Sequence, residues 1–381
     1  MNHLLVDIVK SEFLKTFNSN PLLVFSPGRI NLIGEHTDYN NGYVFPAAID
    51  KGIVTAIAKS SLETSTLIAL NTDDKYEFST NNLVPLKNGS WQNYILGVIS
   101  EIQKTGKRIE NFNLVFSGDI PIGAGLSSSA ALENSVIFAL NELFKFGLTK
   151  KEMIFISQKA EHNFVGVKCG IMDQYASMFG QKDSAILLDC ENLEAKTVKL
   201  NLQDYSLLLI NTNVKHSLAE SAYNERRTIC ENVSSKLGFD SLREASSKDL
   251  STLKESLSKS EYQKALYVVQ ENSRVLEAFE AVKLNDISKL GELLFASHDG
   301  LKNQYKVSCK ELDFLVGFAK NSNAVIGARM MGGGFGGCTI NLIKTTKIDA
   351  FKIKIASSYY NTFENNCSFY KVNLSDGTKT I

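Results

Sequence analysis

The chain has 381 residues, with 41 Lys and Arg against 41 Asp and Glu, so its formal charge at pH 7 is zero. That balance excludes a nucleic-acid binder working through a global basic excess, while 44% hydrophobic and 22% charged residues is the composition of a soluble globular protein. Six cysteines with no C-x-x-C spacing exclude a zinc ribbon or a redox dithiol and read as reduced thiols of a cytoplasmic protein.

The amino terminus reads as an amphipathic helix carrying Leu5, Val9, Phe13 and Phe17 on one face. Asp7 argues against a leader peptide there, and no apolar run approaches a membrane span. Strands are expected at 53–58 and 112–116 from their β-branched and aromatic content. A helix is expected at 130–145, and Thr149 with Glu152 forms a capping box for another that runs towards Phe164. Runs 185–188 and 207–210 read as buried strands. From about 217 to 320 the pattern is mostly helical, with further capping boxes at Ser258 with Glu261 and at Ser308 with Glu311. Strand signal returns at 324–329 and 339–343, followed by a helix near 347–359 and a last strand near 367–373. Strands and helices alternate in both halves, so the expected class is mixed α+β. The polar run ENLEAKTVKLNLQ suggests a division near residue 200, into a domain of 1–200 and a domain of 201–381.

Three glycine-containing loops carry the chemistry. Pro121 to Ala131, with Gly123, Ala124, Gly125, Leu126, Ser127, Ser128 and Ser129, lies between an expected strand and an expected helix. Small residues let backbone wrap a bound group. The helix start adds unpaired N–H groups and the positive end of the macrodipole, which together favour phosphate. It is neither a Walker A loop nor a Rossmann G-x-G-x-x-G. Met331 to Gly337 holds five glycines, which implies a tight approach of backbone to a ligand or to a neighbouring loop. The run from Gly28 to Gly42 gathers Arg29, Glu35, His36 and Asp38 with Asn31, Asn40 and Asn41. Such a density of hydrogen-bonding groups suits a polyhydroxy ligand, although a solvated surface loop would have the same composition. Trp91, the single tryptophan, suits either an adenine pocket or core packing.

Together the three loops resemble the signature motifs of the GHMP small-molecule kinases, and SPGRINLIGEHTDYNNG resembles the galactokinase signature within that superfamily. The resemblance extends to 169–174 (CGIMDQ) and 213–218 (NVKHSL). It implies a GHMP-kinase-like architecture of two domains with the active site in the cleft between them. It implies transfer of the ATP γ-phosphate to the anomeric hydroxyl of galactose. By motif, Asp173 would be the catalytic base and Arg29 would stabilise charge on the transferring phosphoryl group. Glu35, His36, Thr37, Asp38 and Asp173 would contact the sugar, and Tyr223 would line its pocket. Gly123 to Ser129 would wrap the nucleotide phosphates, and Ser129 with Glu161 would hold Mg²⁺. Direct contact between Arg29 and Asp173 would weaken the aspartate as a base, and the alternative role is that it mainly orients the hydroxyl. Met331 departs from the pattern, which often has Thr there.

The expected partners are galactose and ATP, with no nucleic acid and no membrane, for a monomeric protein. A GHMP kinase for N-acetylgalactosamine or arabinose, or a catalytically silent galactose and ATP sensor, would share much of the pattern. The intact Ser127-Ser128-Ser129-Ala130-Ala131 run favours an enzyme, and Glu35-His36-Thr37-Asp38 favours galactose.

Overall fold

The computed structural model describes residues 2–81, 83–87, 90–121, 123–214 and 219–381, with backbone alone for 219–223. The first half contains helix α1 (His3–Phe17), strands β1 (Leu22–Asn31), β2 (Tyr43–Val44), β3 (Pro46–Lys59), β4 (Ser65–Ala69) and β5 (Asp74–Phe78), helix α2 (Trp91–Lys104) and strand β6 (Phe112–Gly118). Helices α3 (Ser128–Phe144), α4 (Lys150–Ala160) and α5 (Met172–Phe179) follow, then strands β7 (Ser184–Asp189), β8 (Ala195–Lys199) and β9 (Tyr205–Asn211). Next come helices α6 (Ala219–Leu237), α7 (Ser247–Thr252), α8 (Lys259–Lys283), α9 (Ile287–Gly300) and α10 (Lys310–Lys320). Strands β10 (Val325–Met330) and β11 (Cys338–Lys344), helix α11 (Ile348–Phe363) and strands β12 (Ser368–Val372) and β13 (Lys379–Thr380) complete the chain.

A six-stranded sheet runs β13-β1-β3-β6-β4-β5, a four-stranded sheet runs β10-β11-β9-β12, and a small sheet runs β2-β7-β8. All pairs are antiparallel except β4 with β6. Side chains alternate across the large sheet as the strand repeat requires. Phe25, Val54 and Ala56 face α1, where they bury Leu5, Val9 and Phe13. Val24, Ile53 and Ile57 join the main core on the opposite face, where α3 packs. Phe17 completes the apolar face of α1 half-buried, its ring centroid 5.0 Å from that of Phe13. In β9 the run Leu207-Leu208-Leu209-Ile210 has no polar alternation because both faces are covered. Leu207 and Leu209 join the main core, and Leu208 and Ile210 pack with Leu315, Phe351 and Ile355.

Three local features differ from the sequence expectation. The helix opened by Thr149 keeps its capping box, but the α register ends at Ala160 and a π-helical turn takes over at Glu161–Val165. Gly166, at φ 88°, closes that turn by donating its N–H to the Glu161 carbonyl. Ser308 does not cap α10: the helix starts after Cys309, and the Ser308 hydroxyl donates to Asp313 Oδ1 at 2.6 Å. That carboxylate also pairs with Lys302 at 3.2 Å, so the bond from Ser308 is charge-assisted. Finally, the tail returns to the large sheet, pairing Thr380 with Val24 and Lys379 with Phe25. Among the described residues no helix is long and apolar enough to cross a membrane.

Candidate active site

The loop after β1 is buried throughout residues 31–40, and partners distant in sequence hold it. The Gly34 N–H donates to Glu271 Oε1 at 3.0 Å, the Tyr43 N–H to Asn272 Oδ1 at 2.8 Å, and the Tyr267 hydroxyl to the Glu35 carbonyl at 3.0 Å. The Tyr39 and Tyr305 hydroxyls share a hydrogen bond of 2.7 Å. His36 adopts a left-handed φ of 64° and sets its Nδ1 2.8 Å from the Tyr39 hydroxyl. Burial pushes the His36 pKa down to about 3, so the ring is neutral at working pH. Thr37 is fully buried, with its hydroxyl 2.8 Å from the Gly34 carbonyl and 2.6 Å from the Tyr43 carbonyl. It closes the loop and does not line the cavity described below.

The phosphate loop follows β6 and opens α3. Gly123, Gly125 and Ser128 are exposed, while Ala124 and Leu126 anchor the loop in the core. Ser127, in left-handed backbone, does not cap the helix; its hydroxyl donates to Asp173 Oδ2. The helix start therefore keeps its N–H groups free of that side chain, as an anion site requires. The third glycine-rich run backs directly onto this loop. A Cβ placed on Gly125 would lie 3.4 Å from the Met331 carbonyl oxygen, and one on Gly332 3.5 Å from Gly125 Cα. Its glycines thus serve a loop-to-loop contact as well as the cavity, which Gly332 and Gly333 help to line. Met331 is buried in the core.

Between the loops lies a cavity of about 170 Å³, lined by Arg29, Glu35, His36, Asp38, Glu161, Val167, Cys169, Gly170, Met172, Asp173, Gly332 and Gly333. Arg29 forks onto Asp173, Nε donating to Oδ1 at 2.8 Å and Nη2 to Oδ2 at 3.0 Å, and its Nη1 donates to the Gly125 carbonyl at 2.6 Å. Asp38 lies so close to Gly170 that a Cβ there would sit 2.0 Å from Oδ2. Burial, reinforced by the charge of Asp173, pushes the Asp38 pKa up to about 7. Glu161 is pushed up to about 7 by the same two causes, and bonds from Gln174 and Ser129 oppose the shift. Gln174 Nε2 bridges Glu161 Oε2 at 3.1 Å and Glu133 Oε2 at 3.3 Å. Burial and the charge of Glu161 hold Glu133 well above the usual carboxylate range, and its Oε1 has no hydrogen-bond partner.

Among the described residues Arg29 is the one Arg or Lys lining this cavity, against Glu35, Asp38, Glu161 and Asp173. Asp173 is paired with Arg29 and Glu35 with the buried Arg329. Among the described residues no cation pairs with Glu161 or with Glu133, which Gln174 bridges, and Glu133 Oε1 has no partner. Such a pair fits a bound cation, and hydroxyl and carboxylate ligands suit Mg²⁺. Among the described residues no three His, Cys, Asp or Glu side chains come together as a metal cage. The ion would therefore rely on few protein ligands, as Mg²⁺ commonly does beside phosphates.

The structure thus brings Arg29, Glu35, His36, Asp38, Glu161 and Asp173 to one cavity, with Gly123 to Ser129 beside it. The side chain of Tyr223, and residues Lys215, His216, Ser217 and Leu218 of the 213–218 motif, lie outside the described residues. Trp91 donates its indole N–H to Asp74 Oδ2 at 2.9 Å and packs edge-on against Phe116. The sequence reading passed over Glu133 and Arg329. A charge inside the apolar strand VIGARM was the available signal for Arg329.

Three family models match the chain: the galactokinase galactose-binding signature over residues 11–59, the GHMP kinases N terminal domain over 93–181 and the GHMP kinases C terminal domain over 275–361. A galactokinase of Thermosipho africanus is 44% identical over 94% of this chain and 99% of that protein. A galactokinase of Clostridium acetobutylicum is 41% identical over 99% of both. The crystal structure of Lactococcus lactis galactokinase complexed with galactose superposes with a TM-score of 0.94 at 35% identity, over 98% of this chain and 99% of that one. The fold is shared more widely, with a TM-score of 0.67 to Methanococcus jannaschii mevalonate kinase at 18% identity, over 94% of this chain and 99% of that one. With the signature loops meeting at one cavity, and with identity sustained along almost the whole chain, this protein belongs to the galactokinase family of the GHMP kinases.

Proposed function

We propose that the chain transfers the γ-phosphoryl group of ATP to the anomeric hydroxyl of D-galactose, giving galactose 1-phosphate and ADP. The observation that carries the reading is the convergence of Glu35, Asp38, Arg29 and Asp173 on one cavity beside an uncapped helix start. Phosphoryl transfer asks mainly for positioning and charge stabilisation, and this arrangement supplies both.

In this reading Glu35, His36 and Asp38 read sugar hydroxyls, Tyr223 lines the sugar pocket, and Thr37 holds the loop that presents them. Asp173 orients the anomeric hydroxyl. It takes the proton late, once bonding to phosphorus has made that hydroxyl acidic. The fork from Arg29 must loosen at that moment, as the guanidinium turns its donors to the phosphoryl oxygens. The bond from Arg29 to Gly125 already ties it to the phosphate loop. Gly123, Ala124, Gly125, Leu126, Ser127 and Ser128 wrap the nucleotide phosphates. Ser129 and Glu161 would hold Mg²⁺, which when bound supplies positive charge to the phosphate oxygens. We place the domain division near residue 200, so that Gly332 and Gly333 reach the cleft from the second domain. The setting proposed is a monomer in the cytoplasm.

ADP release from ATP and Mg²⁺ over a panel of galactose, glucose, N-acetylgalactosamine and arabinose tests the reading. Galactose should exceed glucose in kcat/KM by about 10²-fold or more, because a buried acceptor left without its hydroxyl is costly. Protein that binds galactose yet releases no ADP would be the silent sensor. Glucose within about tenfold of galactose would remove the hydroxyl-reading role of the loop.

A further inference from the structure

Arg329, at the end of β10, heads the largest fully buried side chains, with an exposure of 0%. A guanidinium withdrawn from water is tolerated only when its donors find acceptors. Here Nε donates to the Leu32 carbonyl at 2.6 Å, Nη1 to the Met330 carbonyl at 2.6 Å, and Nη2 to the Asn31 carbonyl and to Glu35 Oε1, the last at 3.1 Å. Most of these acceptors belong to the strand and loop that carry the sugar-side residues. Glu35 Oε1 takes a second bond, from the Gly332 N–H at 2.9 Å. One oxygen of the Glu35 carboxylate is therefore committed to the third glycine-rich loop. The other, Oε2, is left for a ligand in the cavity that Glu35 lines.

We propose that Arg329 is a positioning residue for sugar recognition: by pinning Glu35 Oε1 it presents Oε2 to a sugar hydroxyl in a single orientation. The inference rests on the reading of Glu35 as a sugar contact. A carboxylate with one oxygen held by a guanidinium and a backbone N–H cannot rotate about its last torsion without breaking both bonds. Its free oxygen is then an acceptor of fixed direction, which is what discrimination between epimeric hydroxyls needs. Gly332 adds a consequence: the third glycine-rich loop touches both the phosphate loop and the sugar carboxylate, so it sets their spacing.

A double-mutant cycle tests this, using Arg329→Met, Arg329→Lys, Glu35→Gln and the combinations. The measurements are KM for galactose, KM for ATP and kcat, with thermal melts to establish folding. Arg329→Met should raise the galactose KM by about 10- to 100-fold, with the ATP KM within about threefold of wild type. In the Glu35→Gln background the same change should add less than about threefold to the galactose KM, because the group it acts through is already altered. Arg329→Lys, which keeps the buried cation but only part of the fork, should fall between wild type and Met. It carries the test if Met does not fold. Equal losses in both backgrounds, or parallel loss of galactose and ATP, would make Arg329 a purely structural residue and overturn the proposal. So would a folded Arg329→Lys with the wild-type galactose KM. If Glu35→Gln alone leaves the galactose KM unchanged, the reading of Glu35 fails and takes the inference with it. If Glu35→Gln weakens galactose while folded Arg329 variants do not, only the inference fails.

Discussion

The two loops that meet at Asp173 are built on opposite plans. On the sugar side residues 31–40 are all buried, and the bonds of the loop go to Tyr267, Glu271, Tyr305 and Arg329. On the phosphate side Gly123, Gly125 and Ser128 are exposed, and α3 starts without a side-chain cap. A sugar hydroxyl is read by direction, so its partners must be fixed beforehand; ordering them on binding would cost affinity. A nucleotide phosphate offers several equivalent oxygens to backbone N–H groups and tolerates a looser cradle. Damage to the first loop should therefore appear in galactose KM and specificity, damage to the second in ATP KM, and damage at their junction in kcat.

The junction carries the largest expected effect. Asp173→Asn keeps the shape of the side chain but cannot accept the hydroxyl proton, and Arg29 loses its charged partner. Loss of a general base typically lowers kcat by about 10²–10⁴-fold. Galactose titration should show binding largely retained, and near-normal kcat would show that proton acceptance by Asp173 is dispensable. Next in size is Gly170→Ala on the sugar side. Its Cβ would meet the Asp38 carboxylate at 2.0 Å, so that carboxylate would have to shift from its place in the cavity lining. A displacement of this kind should raise the galactose KM by about 10- to 100-fold with the ATP KM little changed. Equal damage to both substrates would mean that the two loops are not separable. Gly125→Ala is the counterpart on the phosphate side. Its Cβ finds space, 3.4 Å from the Met331 carbonyl, but the residue sits at φ +70°. The left-handed penalty for an L side chain is about 1–2 kcal/mol, so the ATP KM should rise about five- to thirtyfold while the galactose KM stays within twofold.

The asymmetry also explains what the sequence could reveal. Arg29, Glu35, His36 and Asp38 crowd one short run, and their polar density is legible without a structure. Helix α3 is long, and strands β6 and β9 are short apolar runs that their length and their apolar content mark as buried strands, so local signals suffice for them. What escaped is non-local. The resemblance places Asp173 near Arg29 but leaves their direct contact, across 144 positions, open, and nothing in the sequence points to Glu35 meeting Arg329 across 294. Gly170 is required by the side chain of Asp38, not by its own neighbours in sequence. The π-helical turn at Glu161 leaves no periodic trace, because five residues are too few to establish a repeat. Strand β13 has two polar residues and exists only because the tail returns to β1.

The smallest expected effect follows from the burial that makes the sugar loop rigid. Asp38 has its pKa raised from 3.8 to about 7, first by desolvation and then by the charge of Asp173. Between those values the native protein retains a proton that the unfolded chain has lost. The native state then binds more protons, so the contribution of Asp38 to stability falls as pH rises through this window and is fully present below it. Glu161, raised to about 7, acts in the same direction, whereas His36, lowered to about 3, loses its contribution as pH falls below its ordinary value. The wild-type profile is thus a sum of opposing terms, and its difference from Asp38→Asn isolates one of them. Asn is neutral at every pH, so the Tm of wild type minus that of Asp38→Asn should increase as pH is lowered from 8 to 5. A change of roughly 1–2 kcal/mol corresponds to about 1–3 °C in a chain of this size, at an unfolding entropy of about 2.1 cal/mol/K per residue. The measurement is a pair of melting series in the same buffers without sugar or nucleotide. A difference independent of pH would mean that Asp38 ionises as it does in water. The sugar loop would then be as open as the phosphate loop, and the contrast between them would fail.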